Sequence, residues 1–248
     1  MPDTKVSSWL SCVTYPLGCY LLLPTYFGKL EIIGRENIPR KGPVLLAPTH
    51  RSRWDALIVP YTAGRWKTGR DLRYMVSENE MRGLQGWFIS RMGGFPVDPQ
   101  HPGLSSIRQS ISVLSQGEML VIFPEGDIYR DQPVQPLKAG IGRIALKAQS
   151  QREVKESVKI VPMSIHYSQA YPNWGTQVKV KVGSTLDVTD YELGSMKKNA
   201  QWLISDLEQA LNDFYEHDQL AKTRFSSQPS WGTGKGKQQQ SASAQGWH

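Results

Sequence analysis

The sequence contains little cysteine and no recognisable metal-binding pattern. Among its 248 residues there are two cysteines, Cys12 and Cys19, and both lie in one apolar stretch. This number and placement exclude a disulfide framework and a cysteine metal site, and they suit a reducing cytoplasmic setting. The five histidines are scattered and show no H-E-x-x-H or similar spacing. We therefore expect no metal and no other cofactor.

The chain also lacks a serine nucleophile motif and any motif that reads nucleic acid. G-x-S-x-G is absent, and neither cysteine has a plausible histidine partner nearby in the sequence. A catalytic base in this chain would therefore have to activate a group that the substrate brings. The net charge of +7 favours anionic partners such as lipid headgroups, nucleic acid or phosphorylated cofactors. Without an RNA- or DNA-reading motif, nucleic acid is not the expected partner.

Residues 1–28 are apolar and aromatic, but no long uninterrupted apolar run is present. The stretch "VSSWLSCVTYPLGCYLLLPTYFGKL" contains serine, threonine and two prolines. It therefore falls short of the roughly 20 apolar residues of a spanning helix. Trp9, Tyr15, Tyr20 and Tyr26 favour a segment that lies in the membrane surface, where aromatic rings settle. An ordinary helix that packs on the core is the alternative. We expect a peripheral membrane protein on the cytoplasmic face.

Residues 29–218 show short apolar runs that alternate with helical patterns. The runs "VLLAPTH", "LRYMVS", "GFPVD", "MLVIFP" and "VKIVPMSIHY" predict strands, and stretches such as "AGIGRIALKAQ" predict the helices between them. This alternation predicts an α/β domain with a mixed, mostly parallel sheet flanked by helices. Pro162, inside the last of these runs, suggests a strand edge or a bend. The length of the chain suits a single large domain.

An amphipathic helix is predicted to close this domain. Its apolar residues recur at helical spacing: Trp202, Leu203, Leu207, Leu211 and Phe214. Residues 219–248 are poor in aliphatic side chains and rich in glycine, serine and glutamine. Such a composition cannot bury enough surface to order itself. We therefore divide the chain into a membrane-associating segment (1–28), a folded domain (29–218) and a disordered tail (219–248).

The stretch "HRSRWD", residues 50–55, joins two apolar segments. Reading a strand before it and a helix after it places His50 at the carboxyl end of a strand and Asp55 in the first helical turn, where open α/β sheets bind ligands. One interpretation is structural, because Ser52 and Asp55 match a capping box. The chemical interpretation is that Asp55 binds one ring nitrogen of His50 and leaves the other basic, facing a cleft. His50 would then deprotonate a substrate hydroxyl.

Four further stretches follow the H-x-x-x-x-D pair in a characteristic order. They are "GGFPVD" at 93–98, "FPEG" at 123–126, "PLKAG" at 136–140 and "IVPMSI" at 160–165. With these blocks, the chain resembles the glycerolipid acyltransferase superfamily, typified by 1-acylglycerol-3-phosphate acyltransferase. The resemblance covers roughly residues 33–165, and the combination of blocks is far more specific than any single block.

The resemblance implies transfer of a fatty acyl group from a thioester donor, acyl-CoA or acyl-acyl carrier protein. The implied acceptor is the hydroxyl of a lysophospholipid such as 1-acylglycerol-3-phosphate, in phospholipid biosynthesis. His50 is implied to be the general base and Asp55 its orienting partner. Glu125 is implied to bind the hydroxyl or headgroup region of the acceptor, and Gly126 permits the close backbone approach. Residues 160–165 would form a wall of the acyl pocket.

The two arginines that hold the acceptor's phosphate in this family are missing. Pro99 and Ile128 stand at their positions, and Asp127 adds a negative charge that a phosphate would not favour. Replacement ligands for the phosphate are sought among basic residues near these blocks: Arg130, Lys138 and Arg91.

Other functions stay open at this point. The acceptor could be a lipid without phosphate. The His–Asp pair could instead direct water, which would make the protein a thioesterase or lipase-like hydrolase. A non-catalytic basic protein that binds membranes is a third alternative. The sequence leaves open the acyl length, the choice between the two donors and the oligomeric state.

Overall fold

A computed structural model describes residues 6–98, 103–130, 133–151 and 155–226 of the chain. The strands are β1 (Lys29–Ile33), β2 (Val44–Pro48), β3 (Leu72–Ser77), β4 (Gly94–Val97), β5 (Met119–Val121), β6 (Lys159–Tyr167), β7 (Gln177–Val182) and β8 (Leu186–Asp187). The α-helices are α1 (Ser8–Tyr15), α2 (Leu23–Tyr26), α3 (Asp55–Ala63), α4 (Arg65–Thr68), α5 (Gly83–Arg91), α6 (Leu104–Ser115), α7 (Gly140–Gln149) and α8 (Met196–Ser226). A π-helical stretch (Pro16–Leu22) joins α1 to α2, and three short 3-10 helices cover Arg35–Asn37, Glu78–Glu80 and Val188–Tyr191.

The strands form one mixed, mostly parallel sheet, as predicted. Its order is β1, β7, β6, β2, β5, β3, β4, and β8 lies against β6 beyond the end of β7. The contacts of β6 with β7 and β8 are antiparallel, and the other pairs are parallel. Strand β2 lies between β5 and β6. The carboxyl ends of these three parallel strands therefore open at the same edge of the sheet.

The core occupies both faces of the sheet. All five residues of β2 are buried. Val44 and Leu46 contact the apolar cluster under α3, while Leu45 and Ala47 contact the cluster under α6, α7 and α8. A central parallel strand that is covered on both faces reads as a continuous apolar run, which explains "VLLAP". This burial holds the end of β2, and the residues that follow it, in place.

The N-terminal segment packs on the core on one side and exposes apolar side chains on the other. One side of the helices is buried against the core through Leu10, Tyr15, Cys19, Leu23 and Phe27. The opposite side exposes large apolar residues at a spacing of four: Trp9, Val13, Leu17 and Leu21. Within the described ranges, no helix is both long enough and apolar enough to cross a membrane.

Helix α8 differs from the prediction at Trp202 and in its length. Leu203, Leu207 and Leu211 are fully buried, but Trp202 is exposed because it lies about 100° around the helix from Leu203. The helix also continues to Ser226, beyond residue 218, where the folded domain was predicted to end. Leucine, alanine, lysine and arginine are good helix formers, and they extend the helix through "LAKTR". The rest of the predicted tail, 227–248, lies outside the described residues.

Pro162 lies inside the sheet and not at an edge. Strand β6 pairs with β2 on one side; on the other side β7 ends opposite Met163 and β8 begins opposite Ile160. Pro162, in β6, therefore faces the gap between the end of β7 and the start of β8. Its missing N–H breaks no hydrogen bond of the sheet there. Its carbonyl accepts a hydrogen bond from Gly183 N at 2.9 Å.

Candidate active site

His50 and Asp55 meet at the carboxyl end of β2. The chain leaves β2 at Pro48, and α3 begins at Asp55. Nδ1 of His50 lies 2.9 Å from Oδ2 of Asp55, which confirms the predicted contact. Because a carboxylate only accepts, Nδ1 carries the proton and Nε2 is the basic nitrogen. Nε2 forms no hydrogen bond with the described part of the chain, and the His50 side chain keeps 19% of its surface exposed.

The Asp55 carboxylate also organises the backbone before α3. Oδ2 accepts hydrogen bonds from Arg51 N at 2.6 Å and from Ser52 N at 2.9 Å. Oδ1 accepts from the Tyr167 hydroxyl, at the end of β6, at 2.7 Å. Burial and the nearby Asp55 charge raise the pKa of Tyr167, so its hydroxyl stays a donor. The Asp55 carboxylate therefore makes the contacts of both interpretations, because it ties down the helix start and also binds the His50 imidazole.

Phe123 forms one wall of the site. It follows β5, and its ring stacks on the His50 imidazole with centroids 4.0 Å apart and an angle of 20° between the rings. This contact fixes the plane of the imidazole from one side, while Asp55 fixes its rotation. The His50 ring is therefore held in one orientation by two neighbouring side chains, an arrangement that would favour catalysis by orientation.

Glu125 lies in the turn after β5 and is paired with Arg51. Nη1 of Arg51 is 2.7 Å from Oε2 of Glu125, and both side chains are buried. Burial raises the pKa of Glu125, opposed by the Arg51 ion pair and more weakly by His50 and the Gln135 backbone. Oε1 of the same carboxylate is buried and has no hydrogen-bond partner of standard geometry among the described residues, although the Gln135 backbone N–H lies near enough to this carboxylate to lower its pKa. A buried oxygen without a donor is available to a substrate.

Gly126 and Lys138 contact each other at this turn. Gly126 has φ +81°, a left-handed conformation that side chains other than glycine seldom adopt. The Lys138 chain lies across it, since a Cβ on Gly126 would be 2.8 Å from Lys138 Cε. Lys138 N also donates to Pro124 O at 2.9 Å. The structure therefore brings both predicted residues to the Glu125 turn, and the exposed Lys138 ammonium forms no ion pair within the described ranges.

The side chains that follow Gly126 do not form a phosphate-binding site. Asp127 Oδ1 accepts from Ile128 N at 2.7 Å, so this carboxylate is engaged with its own loop. Arg130 stacks over the Tyr171 ring, 5.0 Å from its centroid. The loop itself stays close to His50, because Tyr129 N donates to His50 O at 2.9 Å. Arg130 is therefore near the site but is held at its rim by an aromatic ring.

Arg91 is not brought to the site. It ends α5 just before β4, and Gly93 lies beside Leu72, at the amino end of β3. His50 follows the carboxyl end of a parallel strand, at the opposite edge of the sheet. The Arg91 guanidinium instead lies over the Trp87 ring, 5.4 Å from its centroid. The prediction of Arg91 as a phosphate ligand is wrong for this topological reason. Pro99, the other departure from the family pattern, lies outside the described residues.

Sequence reasoning missed three residues of the site: Arg51, Phe123 and Tyr167. Arg51 lies inside "HRSRWD" and Phe123 inside "FPEG", next to the residues to which these patterns assign a role. Tyr167 ends the run "VKIVPMSIHY", and β6 is adjacent and parallel to β2. The rule that ligands bind at the carboxyl ends of parallel strands was a signal for Tyr167, but the pairing of β6 with β2 was not known.

Neither cysteine is paired. Cys12 is exposed and Cys19 is buried. Burial raises the pKa of Cys19 to about 11, so its thiol is protonated at neutral pH. Among the described residues, no three histidine, cysteine or acidic side chains gather as a metal site would require.

The region that carries this geometry matches a known family. A family model described as Acyltransferase matches residues 29–166. The chain belongs to the acyltransferase family. The matched region contains His50, Asp55 and the Glu125 turn, and it ends one residue before Tyr167.

Two curated relatives share one description. The chain is 32% identical over 124 residues to the 1-acyl-sn-glycerol-3-phosphate acyltransferase of Bacillus subtilis (strain 168), which covers 48% of this chain and 57% of the relative. It is 26% identical over 175 residues to the 1-acyl-sn-glycerol-3-phosphate acyltransferase of Streptococcus pneumoniae (strain ATCC BAA-255 / R6), covering 68% of this chain and 60% of the relative. The matches therefore span less than two thirds of the length of either relative.

A solved structure shares the fold. The crystal structure of the 1-acyl-sn-glycerophosphate (LPA) acyltransferase PlsC from Thermotoga maritima matches with a TM-score of 0.62. The match covers 87% of this chain and 79% of that chain, at 18% sequence identity. At this identity the likeness concerns the fold, and it agrees with a single α/β domain whose mixed, mostly parallel sheet is flanked by helices.

Proposed function

We propose that this protein is an O-acyltransferase that moves a fatty acyl group from a thioester to the free hydroxyl of a lysophospholipid. The donor would be acyl-CoA or acyl-acyl carrier protein, and the reaction would serve phospholipid biosynthesis. The observation that carries the proposal is the His50–Asp55 pair, whose Nε2 is left basic at the carboxyl end of β2. A family of acyltransferases and a chain without a serine nucleophile motif both support transfer to a substrate hydroxyl.

The geometry supports a direct transfer. Nε2 of His50 takes the proton of the acceptor hydroxyl as its oxygen attacks the thioester carbonyl carbon. The tetrahedral intermediate then collapses, the carbon–sulfur bond breaks, and the leaving thiolate takes up the proton from the imidazolium. Asp55 stabilises that imidazolium through Nδ1 and keeps the ring in one tautomer. The products are an ester and a free thiol, and His50 returns to its neutral form.

A phosphate-bearing acceptor, 1-acylglycerol-3-phosphate, is the acceptor that we propose. The two curated relatives carry this activity in their description, which supports the choice. In this chain Lys138 is the cation best placed to meet a phosphate near the Glu125 turn, because its side chain crosses Gly126 and its ammonium has no ionic partner in the described ranges. Arg130 would contribute only by leaving the Tyr171 ring.

We further propose that the protein works at the cytoplasmic surface of a membrane. The exposed side of the N-terminal helices carries Trp9, Val13, Leu17 and Leu21, a pattern that suits the boundary between headgroups and acyl chains. The start of α1 also meets α5, since Ser7 N donates to Arg91 O at 2.8 Å, and α5 exposes Trp87. The two unpaired cysteines suit a reducing compartment.

The decisive experiment is lipid product analysis of purified protein. A labelled acyl thioester, offered as acyl-CoA and as acyl-acyl carrier protein, is incubated with lysophosphatidic acid or with a neutral monoacylglycerol. We expect labelled phosphatidic acid from the wild type. His50→Ala should lower this transfer by about 10²- to 10⁴-fold, the usual contribution of a general base. His217→Ala, on the exposed side of α8, is the matched control and should transfer at the wild-type rate.

Each other result points to a different function. Free fatty acid without acylated lipid would identify a thioester or lipid hydrolase. Acylation of only the neutral acceptor would reject the phosphate-bearing substrate. Normal transfer by a folded His50→Ala variant would remove His50 as the base. A wild type that binds vesicles but transfers nothing would leave the non-catalytic membrane-binding alternative.

A further inference from the structure

A buried ion pair joins the two segments that build the site. Nη1 of Arg51 contacts Oε2 of Glu125 at 2.7 Å and the His50 carbonyl oxygen at 3.2 Å. The backbone N–H of Arg51 donates to Asp55 at 2.6 Å. The side chain of Arg51 is 9% exposed to solvent, and that of Glu125 is 0% exposed. Arg51 is therefore connected to the base, to its orienting carboxylate and to the Glu125 turn at once.

The other oxygen of Glu125, Oε1, is not used by the ion pair with Arg51. Oε1 is buried and receives no hydrogen bond of standard geometry from the described residues; the Gln135 backbone N–H lies near the carboxylate and lowers its pKa only weakly. A buried acceptor without a donor costs free energy, which a hydrogen bond from a bound ligand would offset. Only the ionised carboxylate leaves Oε1 as a pure acceptor, since a protonated carboxyl becomes a donor. The charge of Glu125 therefore decides what this position can bind.

We propose that Arg51 is a positioning residue that keeps Glu125 ionised, with Oε1 free for a substrate donor, and that anchors the FPEG turn against His50. This inference rests on the proposed acyl transfer for its kinetic consequences. The donor to Oε1 would be a hydroxyl or amide N–H of a bound substrate. The negative charge of Glu125, close to His50, would also stabilise the imidazolium that forms when the base takes a proton.

The electrostatics set the direction of the effect. Burial raises the pKa of Glu125, and the ion pair with Arg51 is the largest influence that lowers it. Without Arg51 the burial is opposed only weakly, so the pKa rises further. Since a carboxyl group is ionised above its pKa, activity that needs the carboxylate would be lost on the acid side and recovered at higher pH. A purely mechanical role for Arg51 predicts no such recovery.

The test compares the pH dependence of kcat/KM in four forms: wild type, Arg51→Gln, Glu125→Gln and the double variant. We expect Arg51→Gln to move the acid limb upward by about 1–3 pH units, the usual effect of one close opposite charge. The double variant should show the same limb as Glu125→Gln, because no carboxylate remains for Arg51 to act on. Arg51→Lys, which restores a charge, should move the limb back towards that of the wild type.

Arg53→Gln is the matched control. Arg53 lies two residues further along, its side chain is 72% exposed, and it pairs with Glu80 at the surface. The same change of side chain there should leave the pH profile unaltered. Thermal melts of all variants show whether each is folded.

A second measurement does not depend on activity. Infrared titration detects protonation of a buried carboxyl group, and the Glu125 signal is the band that Glu125→Gln removes. It should appear at higher pH in Arg51→Gln than in the wild type. An unshifted band contradicts the inference, as does an equal shift of the acid limb with and without Glu125. If the wild type transfers no acyl group, the proposed function fails while the infrared result still tests the ion pair.

Discussion

At the scale of single residues, two tyrosine hydroxyls show how differently a buried polar group can be placed. The Tyr167 hydroxyl donates to Oδ1 of Asp55 at 2.7 Å. The Tyr74 hydroxyl, in β3, is buried and has no partner among the described residues. A buried hydroxyl that binds a charged group stabilises the fold, whereas an unpartnered one costs free energy. The first hydroxyl holds Asp55 beside His50, and the second holds no charged group.

Tyr167→Phe should therefore weaken both stability and catalysis. We expect the free energy of unfolding to fall by about 1.5–3 kcal/mol, the value of a hydrogen bond to a charged group. The transfer rate should fall about tenfold, because Asp55 loses one of the contacts that hold its carboxylate against His50. Denaturant unfolding and the acyl-transfer assay measure the two effects.

Tyr74→Phe is the control for this prediction. It removes the same atom from a buried tyrosine, but the lost hydroxyl has no hydrogen bond to break. Its stability should be unchanged or slightly higher than that of the wild type, with normal transfer. Equal losses in the two variants would mean that the hydroxyl contact with Asp55 contributes nothing of its own.

At the scale of elements, the turn after β5 depends on a residue without a side chain. Gly126 and Gly117 both have left-handed backbones, with φ +81° and +78°. A Cβ at Gly117 would meet nothing within 4 Å, whereas at Gly126 it would collide with Lys138. The two glycines therefore share the same backbone requirement but differ in what lies above them.

Gly126→Ala and Gly117→Ala separate these two effects. Each should lower the free energy of unfolding by about 1–2 kcal/mol, the cost of a left-handed alanine. Gly126→Ala should in addition displace Lys138 and reduce transfer to lysophosphatidic acid, whereas Gly117→Ala should keep normal activity. Equal activity in the two variants would show that the position of Lys138 over the turn does not matter for the acceptor.

At the scale of the whole molecule, exposed tryptophans lie on both layers that cover the sheet. Trp9 belongs to the N-terminal helices, which share an apolar cluster with α3. Trp202 belongs to α8, which packs with α6 and α7 on the other face. They are 63% and 50% exposed. If the protein binds a membrane through its N-terminal helices, Trp9 contacts the membrane and Trp202 does not.

Vesicle binding distinguishes the two layers. Trp9→Ala should weaken binding to vesicles of phosphatidylcholine and phosphatidylglycerol by roughly tenfold or more, since a large aromatic side chain contributes about 1.5–3 kcal/mol when it leaves water. Trp202→Ala should bind as the wild type does, and both should melt at the wild-type temperature. Equal binding by all three forms would reject the N-terminal layer as the membrane contact.

The sequence by itself determined the parts that depend on neighbouring residues. Alternating apolar runs predicted the strand and helix order. The spacing of five positions between His50 and Asp55 was enough to bring them together, because the short connection between β2 and the first residue of α3 leaves few other arrangements. The blocks around Glu125 and Gly126 were likewise recognisable as local patterns.

The tertiary structure alone decided everything that depends on which strands are neighbours. Since β6 lies beside β2, Tyr167 reaches Asp55 across 112 positions of sequence. Since β5 lies on the other side of β2, Arg51 pairs with Glu125 across 74 positions. The same topology keeps Arg91 away from His50, because Arg91 ends its helix at the edge of the sheet where the strands begin. It also places Pro162 opposite the gap between β7 and β8. Strand order is set by the burial of both faces of the sheet, a property of the whole chain that no local pattern of residues contains.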